Sequence, residues 1–246
     1  MKKETVAKMI DHTLLAPTAG IRDIVKLCTQ AEAYHFASVC INPYFVAAAK
    51  NELSNSDVHI CTVVGFPLGS NTTEVKRFEA VSAIKNGADE IDMVMNVGAA
   101  IDCRFNDVET DIHGVVCACR EEAERLGRKV IVKVILETCF LDDPTIATAC
   151  QCAVRAGADF VKTSTGFAAP KGIDGNLLPN GASVHHVQLM RKTVGEDFGV
   201  KASGGIRSAR SAASMILAGA TRIGTSSGIQ ILDAWDESIE LPETTR

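Results

Sequence analysis

Aromatic residues are scarce in this 246-residue chain, at 5% of the total, and no run of basic residues stands anywhere in it. Without stacking side chains beside a positive stripe, a nucleic-acid surface is not expected. Long apolar runs are missing too. The strongest candidate, VIVKVIL, is interrupted by Lys133 and falls far short of the roughly 20 apolar residues a membrane-spanning helix needs. The opening stretch, MKKETVAKMIDHTLL, carries lysines but no apolar core of signal-peptide type, so a secretory leader is not expected. Also absent is a G-x-G-x-x-G after an early strand, which argues against a dinucleotide-binding open sheet. No Pro/Gly/Ser-rich linker divides the chain, so one domain over residues 1–246 is expected.

Nine cysteines are present, an odd and dispersed count. They read as the reduced thiols of a cytoplasmic protein, packed as small core residues. The pairs Cys117/Cys119 and Cys150/Cys152 fall in helical patterns, where residues two apart do not face each other. Neither a metal nor another cofactor is expected. His185 and His186, adjacent on a helical pattern, should diverge and make a poor metal pair. The acidic tail DESIELPETTR reads as a solvated end, and NPYF and GFPLG as shaped loops at strand ends.

What is abundant is Val, Ile, Leu and Ala, within a hydrophobic share of 46%. That is the filling of parallel sheets covered on both faces. Eight β-branched runs alternate with amphipathic stretches: 11–15, 37–41, 60–66, 90–96, 130–136, 159–164, 199–203 and 221–226. Between them, helical patterns cover 72–86, 107–126, 144–156, 184–194 and 208–218. The alternation predicts a single (β/α)8 TIM barrel, with a doubly wound open sheet as the structural alternative.

A weak repeat locates a site. NGADEIDMV, AGADFVKTS and AGATRIGTS each place Gly-Ala between helix and strand, as a left-handed helix end requires. Five residues after these glycines stand Asp92, Lys162 and Gly224, in one phase of three strands. Lys133 and Lys201 also sit inside strand runs. Three lysines pointing to a barrel axis suit amine catalysis. A free lysine, with a pKa of about 10.4, is almost wholly charged at neutral pH, and a second cation nearby favours the reactive neutral amine. Such an amine attacks carbonyls to form a Schiff base, and a carboxylate such as Asp92 can relay protons. Buried ion pairs with a purely structural role would leave the same pattern.

The loops after strands seven and eight, SGGIRS and GTSSG, stand where such barrels commonly bind phosphate. Gly204 and Gly205 allow close backbone approach, Ser226 and Ser227 offer hydroxyls, and Arg207 either adds charge or points outward. A phosphosugar isomerase working without a covalent intermediate, or a non-catalytic phosphosugar-binding protein, would share these loops.

From DHTLL through VCINP, VVGFPLG, GADEIDMVMN, KVILET, DFVKTSTGF, KASGGIR and GTSSG, nearly the whole chain resembles the 2-deoxyribose-5-phosphate aldolase family. The resemblance implies a (β/α)8 class I aldolase of deoxyribose phosphate catabolism, acting on phosphosugar and aldehyde substrates. It implies Lys162 as the Schiff-base nucleophile, Lys201 as the neighbour that lowers its pKa, and Asp92 as proton donor and acceptor. Lys133, Thr165 and Cys40 match substrate-region positions, and Gly166, Gly204, Gly205, Gly224, Ser226 and Ser227 match phosphate-loop positions. A homo-oligomer is a further possibility. Two departures stand out: Phe167 occupies a position where some members carry a phosphate-contacting lysine, and the chain ends in Thr-Thr-Arg rather than near a tyrosine.

Overall fold

The structure, a computed structural model, describes residues 1–238. Eight parallel strands close into a barrel in simple chain order. They are β1 (Ile10–Leu14), β2 (Ser38–Ile41), β3 (His59–Val64), β4 (Glu90–Val94), β5 (Ile131–Ile135), β6 (Phe160–Lys162), β7 (Gly199–Ser203) and β8 (Arg222–Thr225). Closure is direct: Asp11 of β1 lies in register with both Ser38 of β2 and Gly224 of β8. That pairing excludes the open sheet.

The helical ring is built from α1 (Lys3–Ala7), α2 (Ile21–Ala33), α3 (Val46–Glu52), α4 (Thr73–Lys85), α5 (Val97–Ile101), α6 (Phe105–Arg125), α7 (Asp143–Arg155), α8 (Val184–Val194), α9 (Ala209–Leu217) and α10 (Gly228–Asp233). The Gly-Ala repeat ends α4, α7 and α9 in one way. Gly87, Gly157 and Gly219 take φ of 113°, 81° and 108°, which a side chain would resist. The following alanine then donates back across the last turn: Ala88 to Ala83, Ala158 to Ala153 and Ala220 to Met215, at 3.0, 3.1 and 3.0 Å. Each helix therefore stops at one geometry and delivers the next strand in one phase.

That phase sorts the side chains. Ile91, Val132, Val161, Val200 and Ile223 are the second residues of β4 to β8, and all are fully buried toward the helices. Strand alternation turns the third residues to the opposite face, the barrel axis. Those third residues are Asp92, Lys133, Lys162, Lys201 and Gly224.

Six of the eight strands stop one or two residues earlier than the β-branched runs suggest, β2 and β7 ending as expected. Beyond Lys162, side chains join the remaining backbone bonds: Thr163 N–H still donates to the Lys201 carbonyl at 3.0 Å, while Thr163 Oγ1 donates to the Ser203 carbonyl at 3.0 Å and Ser203 Oγ to the Ser164 carbonyl at 2.6 Å. The acidic tail from residue 239 onward lies outside the described residues.

Candidate active site

Four cationic and three anionic side chains meet inside the barrel. Asp92 is the hub. Its Oδ1 accepts from Lys133 at 2.8 Å, and its Oδ2 accepts from Lys162 at 2.8 Å and Lys201 at 2.7 Å. Lys133 also pairs with Glu90 at 2.5 Å, and Lys201 with Asp11. Arg222 closes the ring, reaching Asp11 at 2.6 Å and Glu90 at 3.1 Å. Asp11, Glu90, Asp92, Lys133 and Lys201 are wholly inaccessible, whereas Lys162 keeps 3% of its surface.

Burial works against the charge on Asp92, Glu90 and Lys201, but their partners outweigh it. Burial pushes the Asp92 carboxyl up, yet the ammoniums of Lys133, Lys162 and Lys201 hold it well below the usual carboxylate range. Glu90 is likewise raised by burial and brought down to about 2, chiefly by Lys133. Lys201 loses affinity for its proton through burial and regains more from Asp11 and Asp92, so it stays charged.

Above this cluster opens a cavity of about 510 Å³. Lys162, Thr165 and Gly166 line it from the β6 side, and Gly204, Gly205 and Arg207 from the β7 loop. Gly224 and Ser226 line it from β8. The β7 and β8 loops are tied together, Thr225 Oγ1 donating to the Ile206 carbonyl at 2.7 Å. Gly204 lies so close to Gly181 that an added Cβ would stand 2.7 Å from the Gly181 Cα. Arg207 lines the cavity mouth and is exposed to solvent there.

Lys162 thus joins the buried cluster to the cavity. Asp92 and Lys201 lie beneath it. Lys133 and Cys40 are fully buried and do not line the cavity. Cys40 packs instead with Leu15, Cys61 and Val63 under Phe66. Ser227 does not line the cavity; it precedes α10, its N–H donating to Thr225 Oγ1 at 2.9 Å. Phe167 lines the cavity and meets Phe66 edge-on, with ring centres 5.3 Å apart.

The donor atoms of Cys40, Cys61 and Asp92 lie within 4.8 Å of one another. A metal there would have to displace ammoniums already bound to Asp92. The expected divergence of His185 and His186 is corrected: with Asp143 their donor atoms also lie within 4.8 Å, and His185 Nε2 sits 2.7 Å from Asp143. The reason is that Asp143, at the start of α7, approaches the first turn of α8.

Asp11, Glu90, Arg222 and Glu137 are site residues that sequence reasoning passed over. Asp11, Glu90 and Arg222 carried the same signal as the lysines, an ionisable group inside an apolar strand. Glu137 carried none.

Fold and site together define a (β/α)8 barrel with a lysine–carboxylate centre at the floor of a glycine-lined cavity. Comparison with known proteins is more specific. The model of the DeoC/LacD family aldolases matches residues 5–234, and the chain belongs to that family. It is 52% identical over 232 residues to a deoxyribose-phosphate aldolase of Thermoanaerobacter pseudethanolicus, covering 94% of this chain and 97% of the relative. It is 53% identical over 231 residues to one from Geobacillus, covering 94% and 96%. Among solved structures, a deoxyribose phosphate aldolase from Aeropyrum pernix, described as tetrameric, superposes with a TM-score of 0.83 at 34% identity, covering 94% of this chain and 91% of that one. The chain is an aldolase, a lyase. No helix among the described residues is long and apolar enough to cross a membrane.

Proposed function

We propose that the chain reversibly cleaves 2-deoxy-D-ribose 5-phosphate to D-glyceraldehyde 3-phosphate and acetaldehyde through a Schiff base on Lys162, in cytoplasmic deoxyribose phosphate catabolism. The observation that carries this reading is that Lys162, alone of the three lysines bound to Asp92, also lines the cavity. The neutral form is the one that attacks a carbonyl. Fully ionised, the four cations and three carboxylates of the cluster sum to +1. Lys162 is the member of this cluster with a way out to the cavity.

The neutral amine attacks the C1 aldehyde carbon of the open-chain sugar, and loss of water from the carbinolamine leaves an iminium. The C3 hydroxyl then gives up its proton, its oxygen becomes the aldehyde oxygen of the triose phosphate, and the C2–C3 electron pair moves to form the C1–C2 double bond of an enamine. Protonation at C2 and hydrolysis release acetaldehyde and the free amine. Lys201, held charged by Asp11 and Asp92, is the proton carrier at the cluster. Asp92, held ionised, orients it and receives the hydrogen bonds of the carbinolamine stage. The phosphate is read by Gly166, Gly204, Gly205, Gly224 and Ser226 with Arg207 at the mouth, where no lysine replaces Phe167. A homo-oligomer belongs to this reading, supported by the tetrameric description of the Aeropyrum pernix relative.

Borohydride reduction in the presence of acetaldehyde, followed by peptide mass mapping, tests the assignment. An ethyl group is expected on Lys162. Labelling elsewhere, or turnover insensitive to borohydride, would overturn it and favour acid–base chemistry without a covalent intermediate.

A further inference from the structure

Glu137 follows β5 and has a backbone its side chain should avoid. Its φ and ψ are 57° and 59°, the left-handed region, occupied here by a residue with no short polar side chain to ease it. Such strain persists only where the surroundings impose it, and it clusters at functional sites. Glu137 is also buried, with 3% of its surface exposed, yet no basic side chain pairs with it at salt-bridge distance among the described residues.

What the carboxylate holds is the cavity wall. Both of its oxygens accept from the Thr165 N–H at 3.2 Å, and one accepts from Thr165 Oγ1. Thr165 Oγ1 in turn accepts from the Phe167 N–H at 3.0 Å, which closes the turn around Gly166, at φ 82°. Thr165, Gly166 and Phe167 all line the cavity. The far end of the same loop is pinned separately, Ala182 donating to the Gly204 carbonyl at 3.1 Å.

Resting on the proposed function, we infer that Glu137 is a positioning residue: its ionised side chain sets the Thr165–Gly166–Phe167 turn in the shape that receives the phosphosugar. Burial raises the Glu137 carboxyl above its ordinary range, against the bonds from Thr165 and the charge of Lys162. The other titratable neighbour is Cys139, whose thiol burial pushes up to about 11. As pH falls through the raised Glu137 value, the side chain gains a proton and loses acceptor strength toward Thr165. The wall loosens, and KM rises on the acid side.

The test is the KM of Glu137→Gln for 2-deoxyribose 5-phosphate as a function of pH. The expected result is a rise of about tenfold near neutral pH, the loss of one charge-assisted bond, with a smaller change in kcat and a flattened acid limb. Glu137→Gly relieves the backbone strain, so it should fold and show the same KM increase. A wild-type KM, or a raised KM that keeps the wild-type pH dependence, would overturn the inference. Borohydride trapping on wild-type Lys162 is run beside it. Failure there removes the Schiff-base reading, whereas success there with an unaltered Glu137→Gln removes only the role of Glu137.

Discussion

Lys162 and Lys201 donate to the same oxygen of Asp92, at 2.8 and 2.7 Å, yet only Lys162 reaches the cavity. Adjacent register on β6 and β7 produces this, since the two lysines are Cα partners in the ladder. The barrel thereby holds two ammoniums within reach of one carboxylate oxygen and opens one of them to substrate.

Removing Lys201 should therefore disable the amine beside it. With Lys201→Leu, the remaining three cations already balance the three carboxylates, so deprotonating Lys162 would leave a net negative cluster in a dry interior. Schiff-base trapping near neutral pH is expected to slow by about 100-fold and to recover as pH rises. Trapping kinetics unchanged across pH would contradict the role.

Asp92→Asn removes the acceptor that three ammoniums share. Breaking a buried charge network by deleting one partner costs about 3–5 kcal/mol. Cleavage activity should fall by at least about 100-fold, even at a temperature where circular dichroism shows the variant folded. A folded variant with near-native cleavage would show that Asp92 serves packing alone.

How much of this was legible in the sequence follows from where each signal was stored. The Gly-Ala helix ends set strand phase locally, so residue spacing alone places Asp92, Lys162 and Gly224 on one face. The further partners of Lys133 and Lys201, Glu90 and Asp11, are not readable that way. Arg222 meets Asp11 across 211 residues, a contact made only when β8 closes on β1. Glu137 was hidden for a different reason. Its left-handed backbone has no glycine to announce it, and its partner Thr165 lies on the next strand's loop.

Stability toward acid should track Glu90. Its carboxyl lies at about 2 in the fold, against an ordinary 4.5, so the ionised form is preferred by the native state. A depressed carboxylate contributes stability that is fully present above the unfolded value and is lost as pH falls toward the folded one. The window is therefore from about 4.5 down to about 2. Denaturant midpoints taken across that range should fall for the wild type and more gently for Glu90→Gln, which starts lower because Lys133 and Arg222 lose a partner. Parallel acid profiles would assign the loss to other groups.

Gly204 and Gly205 separate two reasons for glycine at the cavity rim. Both have left-handed φ, 89° and 78°, so alanine at either position carries a backbone cost of about 1–2 kcal/mol. Only at Gly204 would the new Cβ also meet backbone, 2.7 Å from the Gly181 Cα, while nothing lies within 4 Å of a Cβ at Gly205. Gly204→Ala must push the 181–182 segment away and, with it, the loop that carries Thr165 and Gly166. Its melting temperature should fall further than that of Gly205→Ala, and its KM for the phosphosugar should rise more. Equal losses of stability at the two positions would mean that backbone conformation, not the approach of Gly181, is what demands glycine there.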